Sequence, residues 1–260
     1  MRFFDMVWPD LRGARILAGA VVDSAAMRRD YGSWFSPALG RTMEYLWFGD
    51  RGRPLLLFPT SMGRFYQNED FGLVGALGDK VDAGFLQIVC VDSVDAESWY
   101  DTAASPRDRL LRHDAYDRYL RDEMLPLIES RTGGNVAVGG ASFGAYHAAN
   151  LAGRYPGRIT KAICFSGLYD IGRYLDGYWD DLAYYHSPAA YIANMNDAWC
   201  TRLREVEWIV ATGEYDSLIR QNRDFAGLLQ GKGIPCHAEF WPGVFGHDWP
   251  FWNEAIRRFL

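Results

Sequence analysis

The chain has 260 residues, 49% hydrophobic and 15% aromatic, and its 27 Lys and Arg against 33 Asp and Glu leave a formal charge of −6. That length carries one large core, so a single domain over residues 1–260 is expected, and an acidic chain without a Lys/Arg cluster argues against nucleic acid as a partner. No stretch of about 18 apolar residues is present to span a membrane. Met1–Asp10 holds acidic residues and a proline where a secretory signal needs an unbroken apolar run, so a soluble, cytoplasmic protein is expected. Cys90, Cys164, Cys200 and Cys236 are scattered without CxxC spacing, which reads as free thiols and gives no metal site.

In chain order, Arg15–Val22 alternates weakly and Tyr31–Pro37 follows, together an edge strand and a connection. Arg41–Phe48 alternates, Gly49–Pro54 is a turn, and Pro54–Phe58 is a continuous apolar run, so the pair reads as a hairpin leading into a buried strand. Pro59-Thr-Ser-Met-Gly63 lies at that strand's C-terminal end, the edge where open α/β sheets place their ligands. Glu69–Leu77 suggests a helix and Phe85–Val91 a second buried strand. The loop behind it, Asp92–Tyr100, carries Asp92, Asp95 and Glu97 with no histidine alongside, which suits a solvated loop with Trp99 near the pocket better than a metal site. Pro106–Arg131 reads as an amphipathic crossover helix, kinked or restarted at Pro126 and stopped by Thr132-Gly-Gly134.

The rest of the chain is organised around Asn135–Gly144. A short apolar run ends in Gly140-Ala-Ser142-Phe-Gly144 and continues into small residues, Ala145–Leu151, which spells strand, sharp turn, helix. A Gly-x-Ser-x-Gly match arises by chance in such a chain roughly one time in eight, so the strand-to-helix context carries the reading. Such a turn holds the Ser142 hydroxyl above the sheet, and the flanking glycines leave room for neighbouring strand and helix.

Lys161–Phe165 is the next strand. Residues 171–204 show no clean period and read as a cap-like insertion of short helices and turns, with an aromatic cluster from Tyr174 to Tyr191. Glu207–Thr212 is a strand with Gly213-Glu-Tyr-Asp216 as its loop, Ser217–Gly231 a helix, His237–Trp241 the last strand, Pro242–Pro250 its loop, and Phe251–Leu260 a closing helix. Strands alternating with helices give an α/β protein with a mostly parallel sheet. Ser142, Asp216 and His247 then fall in loops after three successive strands, in the order nucleophile, acid, base. A serine hydroxyl needs a base in hydrogen-bond reach and a carboxylate to hold that base in the right tautomer. Glu214 competes with Asp216, which is favoured by its deeper place in the loop, and Asp248 suits loop shaping. His186 is a rival base on a proline-containing turn, whereas His113, His147 and His237 suit packing or surface roles. The oxyanion donors expected are the amides of Phe143 and Ser61, with Met62 the alternative to Ser61.

The segments Phe58–Phe65, Val91–Tyr100, Gly139–Ala145, Thr212–Asp216 and Gly246–Trp249 resemble the bacterial "putative esterase" family, the esterase D and mycolyltransferase branch of the α/β-hydrolases. The resemblance runs from about Trp34 onward. It implies an eight-stranded central sheet and a catalytic triad on Ser142, His247 and Asp216. Pro59-Thr60 stands where many relatives carry His-Gly, which leaves the first oxyanion donor open. The expected function is a serine carboxylesterase for small acyl or aromatic esters, needing no cofactor, with an acyltransferase or a non-catalytic binding protein as alternatives. Trp99, Tyr178, Trp179 and Trp249 are the candidate substrate-facing residues, and a homo-oligomer is left open.

Overall fold

The computed structural model describes residues 27–260; the alternation at 15–22 and the N-terminal segment read for a targeting signal lie outside the described residues. Its centre is a sheet of eight strands: β1 (Arg29–Ser36), β2 (Arg41–Phe48), β3 (Arg53–Phe58), β4 (Leu86–Val91), β5 (Val136–Ala141), β6 (Ile159–Phe165), β7 (Glu207–Gly213) and β8 (Cys236–Trp241). They lie in the order β1-β2-β4-β3-β5-β6-β7-β8, with β1 and β2 antiparallel to their neighbours and the rest parallel. This is the α/β-hydrolase architecture.

The hairpin expected between Arg41–Phe48 and Pro54–Phe58 does not form. β2 pairs instead with β1, Arg29 opposite Phe48 through Ser36 opposite Arg41, and gives its other edge to β4. β3 lies between β4 and β5, parallel to both. The reason is in β3 itself. Leu55 and Leu57 point to one face and Leu56 and Phe58 to the other, so both faces are apolar and only an interior strand covered on both sides buries them.

Ten helices occur among the described residues: α1 (Gln67–Asp70), α2 (Gly78–Asp82), α3 (Pro106–Tyr119), α4 (Leu125–Thr132), α5 (Phe143–Arg154), α6 (Asp181–Tyr185), α7 (Pro188–Ala193), α8 (Asp197–Leu203), α9 (Ile219–Gly231) and α10 (Trp249–Phe259). One face of the sheet packs against α3, α4, α5 and α9, through Tyr116, Leu125, Ala149 and Phe225. The other packs against α2 and α10, through Val81, Phe251, Trp252 and Ile256. The helix expected at Glu69–Leu77 is broken into pieces, because Gly72 takes φ +85 and ends the first turn. The long helical segment from Pro106 does run through to Thr132, but a π-helical turn at Leu120–Met124 separates α3 from α4. The π turn sits just before Pro126, where the wider turn makes room for a ring that has no amide proton to give and would crowd the preceding carbonyls of a regular helix.

The insertion at 171–204 holds α6, α7 and α8. Ile171, Leu175 and Ala183 pack with Phe143 and Trp99 in a third apolar cluster near the start of α5, while α7 lies against α5 and α9 at the side of the sheet. Its buried side meets a polar stripe of α3, in which Arg109, His113 and Asp117 repeat every fourth residue and are all buried. Arg109 donates to the Tyr174 carbonyl at 2.8 Å and Tyr155 to Asp117 at 2.5 Å, so the stripe reads as polar in sequence and interior in the fold.

Candidate active site

Ser142 follows the last residue of β5 and precedes the first of α5, with φ +55 and ψ −116. Few residues with a side chain adopt that conformation, and it costs on the order of 1–3 kcal/mol. Its amide donates to the Phe165 carbonyl at 2.8 Å. The two glycines are demanded by contact. A Cβ on Gly140 would lie 2.5 Å from the backbone of Gly144, and one on Gly144 would lie 2.7 Å from the Pro59 carbonyl oxygen. The serine is half-buried, and His247 beside it is exposed, so the site opens directly to solvent.

His247 comes from the loop between β8 and α10. Its Nε2 stands 3.2 Å from Ser142 Oγ, and its Nδ1 stands 3.1 Å from both carboxylate oxygens of Asp216. Asp216 is 3% exposed, and burial pushes its carboxyl pKa up. Hydrogen bonds from His247, Thr212 and the Leu218 amide outweigh that, and the group sits below the ordinary aspartate value. The Thr212 hydroxyl donates at 2.5 Å and the Leu218 amide at 2.8 Å. The carboxylate is therefore charged and fixed, able to hold Nδ1–H and leave Nε2 as an acceptor toward the serine.

The loop under His247 is tied down from below. Trp252 Nε1 donates to Ser166 Oγ at 3.0 Å, Ser166 donates to the Gly246 carbonyl, and the Trp252 ring meets the imidazole edge-on at 5.4 Å. Gly213 and Gly246 cross backbone to backbone: a Cβ on Gly213 would meet the Val244 carbonyl oxygen at 2.3 Å. Glu214 faces away, accepting the Gly243 amide at 2.9 Å, and Asp248 caps α10 by accepting the Phe251 amide at 3.1 Å.

Against the first turn of α5 lies the loop after β3. The Thr60 amide donates to Gln67 Oε1 at 2.8 Å, the Tyr100 hydroxyl donates to Ser61 Oγ at 2.8 Å, and the Met62 amide donates to Asp95 Oδ2 at 3.3 Å. Met62 has φ +55, uncommon for a residue with a Cβ. Among the described residues the Ser61 amide has no acceptor, and the Phe143 amide, the first of α5, has none within its helix. The helix dipole also favours negative charge at that point.

The expected substrate-facing aromatics are distributed unevenly. Trp99 is 1% exposed, tilted against His113 at 4.6 Å and against Tyr174 and edge-on to Tyr146, so it backs the wall without offering surface. Tyr178 donates to Asp180 at 2.6 Å and Trp179 is exposed in the same turn. Trp249 stacks on Phe71 at 4.8 Å beside the His247 loop. Sequence reasoning missed Tyr100, whose ring meets Phe143 at 5.5 Å and whose hydroxyl reaches both Ser61 and Tyr174. The 92–97 loop is also not the solvated loop expected: Asp92 and Asp95 are fully buried, Asp92 on Arg64 at 2.8 Å and Asp95 on His147 Nε2 at 2.9 Å. The histidine partner was invisible locally because it arrives from α5, some fifty residues away. His186, the rival base, is buried between Asn150 and Asp114, away from Ser142.

Fold and site together define an α/β-hydrolase with a half-buried serine at the strand-to-helix turn. The sequence profile of the family described as "Putative esterase" matches residues 71–259, and the chain belongs to that family. An acetyl esterase of Caldicellulosiruptor saccharolyticus is 27% identical over 136 residues, 46% of this chain and 50% of that enzyme, so the match spans half of the relative's length. A ferulic acid esterase superposes with a TM-score of 0.73 at 21% identity, covering 90% of this chain and 96% of the other. MPT51 (FbpC1) of Mycobacterium tuberculosis superposes with a TM-score of 0.66 at 18% identity, covering 88% and 96%. At those identities the superpositions show a common fold. No helix among the described residues is long and apolar enough to cross a membrane.

Proposed function

We propose that the chain is a serine carboxylesterase acting through Ser142, His247 and Asp216. The observation that carries the reading is one imidazole placed 3.2 Å from a strained serine hydroxyl and 3.1 Å from a buried carboxylate. Ser142 Oγ attacks the ester carbonyl as His247 Nε2 takes its proton, and Asp216 stabilises the imidazolium and keeps the tautomer. The amides of Phe143 and Ser61 receive the oxyanion, a contribution of roughly 10²–10³ in rate per donor. The imidazolium returns the proton to the departing alkoxide, which leaves as the alcohol. Water, deprotonated by the same imidazole, then attacks the acyl-enzyme carbonyl, and as the bond to Ser142 Oγ breaks the imidazolium returns the proton to Oγ and the acid leaves.

Exposure of His247 and partial exposure of Ser142 favour water over a held acceptor, and therefore hydrolysis over acyl transfer. The same exposure, with Trp249 against Trp252 beside His247 and Trp99 in the apolar cluster of Phe143, suits small acyl or aromatic esters, with Tyr178 and Trp179 as further candidate contacts. The test is labelling of the intact protein with a fluorophosphonate, mapped by mass spectrometry, beside hydrolysis of a small aryl ester. One adduct on Ser142, lost in His247→Ala, with hydrolysis abolished in Ser142→Ala, is the expected result. Hydrolysis that survives Ser142→Ala refutes the reading.

A further inference from the structure

We propose that Asp95 is a positioning residue of this esterase: with His147 behind it, it turns the Met62 amide inward and so leaves the Ser61 amide as the loop's oxyanion donor. The inference rests on the serine-esterase reading above. Asp95 and His147 are both buried, Asp95 completely, and their side chains are joined at 2.9 Å. The other Asp95 oxygen accepts the Met62 amide at 3.3 Å. A buried carboxylate with one imidazole and one amide is an expensive group to keep, so the pair is poorly explained as a source of stability. What it does hold is a loop residue at φ +55, a conformation that a residue with a Cβ keeps only when its surroundings impose it.

The geometry ties both halves of the oxyanion site to one element. α5 begins with the Phe143 amide and, one turn later, carries His147, wedged among Phe58, Tyr116, Phe143 and His113 at ring separations of 5.2–5.6 Å. His147 therefore has no freedom to follow Asp95 if the loop moves. The Asp95 carbonyl in turn accepts the Tyr100 amide at 3.0 Å, and the Tyr100 hydroxyl fastens Ser61 Oγ at 2.8 Å. One segment thus grips Met62 by its amide and Ser61 by its side chain, and the amide between those grips is the one without an acceptor among the described residues. The arrangement selects Ser61 over Met62.

The experiment compares wild type, Asp95→Ala, Asp95→Asn and His147→Gln on an aryl ester, and measures inhibition by an aryl trifluoromethyl ketone, whose adduct carries the oxyanion. Asp95→Ala should lower kcat by about 30- to 100-fold with KM within about threefold, and weaken the ketone by a similar factor, because only the transition state meets the displaced donor. Asp95→Asn keeps an oxygen for the Met62 amide and should stay within about fivefold of wild type. A folded Asp95→Ala protein with kcat within threefold of wild type, or an Asp95→Asn protein as impaired as Asp95→Ala, overturns the proposal. Should Asp95→Ala not fold, His147→Gln decides: a loss of about fivefold or more in kcat at unchanged KM supports it, and an unchanged kcat overturns it. Wild-type labelling on Ser142 and an inert Ser142→Ala control separate failure of this inference from failure of the esterase reading.

Discussion

Replacing Gly213 with alanine tests whether the crossing of two backbones sets the base. A Cβ there would lie 2.3 Å from the Val244 carbonyl oxygen, 2.7 Å from the Gly246 amide nitrogen and 2.7 Å from the Phe245 carbonyl carbon, all main-chain atoms of the loop that carries His247. Ordinary contact begins at 3.4 Å, so the loop must withdraw by about 1 Å. β7 is held more firmly than the loop, because Gly213 is paired with Trp241 of β8 and Ala211, two residues before it, with Phe165 of β6. The Nε2 to Oγ distance is already 3.2 Å, leaving almost no slack before the hydrogen bond is lost. A displacement of about 1 Å in a catalytic group costs about 10²-fold, so kcat/KM on an aryl ester should fall by about that factor. The rate of fluorophosphonate labelling should fall with it, while circular dichroism and a cooperative melt show a folded protein. A folded Gly213→Ala enzyme with kcat/KM within threefold of wild type would refute the argument that this contact places His247.

Other perturbations follow from the same geometry. Ser142→Gly removes the side chain from φ +55, ψ −116, so it should abolish hydrolysis while raising stability in urea by about 1–2 kcal/mol; an unchanged or lower midpoint contradicts the strain. Arg64→Ala leaves the fully buried Asp92 with the Phe65 amide at 3.3 Å and Arg41 at 3.6 Å, and should destabilise by about 3 kcal/mol in the same assay, a loss under 1 kcal/mol being inconsistent with the pairing. Burial holds the His113 imidazole well below the ordinary value of 6.5, and burial outweighs Asp114 to lower His186 as well. The unfolded chain takes up protons at both sites below pH 6.5 and the folded chain does not, so stability is flat with respect to them above that pH. Below it, each histidine removes about 1.4 kcal/mol per pH unit until its own folded pKa is passed. Urea midpoints that do not fall between pH 7.5 and pH 5.5 would contradict neutral burial.

Much of the site was legible in the residues because its signals are local. Gly140 and Gly144 bracket Ser142 since helix and neighbouring strand touch there, and the order Ser142, Asp216, His247 reflects three strands ending at one edge of a parallel sheet. Alternating or continuous apolar runs marked β2, β3, β4 and β7 for the same reason, as a strand repeats every two residues whatever its partners are. Partner choice is different. β2 pairing with β4 rather than β3 depends on which strand needs cover on both faces, a property of the whole sheet. Burial of charge is different again: Asp92 and Asp95 read as solvent-facing in an acidic loop, and only the arrival of Arg64 and of His147 from α5 turns them inward. Periodicity determined the class of fold, and local motifs the order of the three residues proposed to react. The tertiary structure alone decided which amides, carboxylates and imidazoles are left to act, because hydrogen-bond satisfaction in a core depends on residues brought together from far apart in the chain.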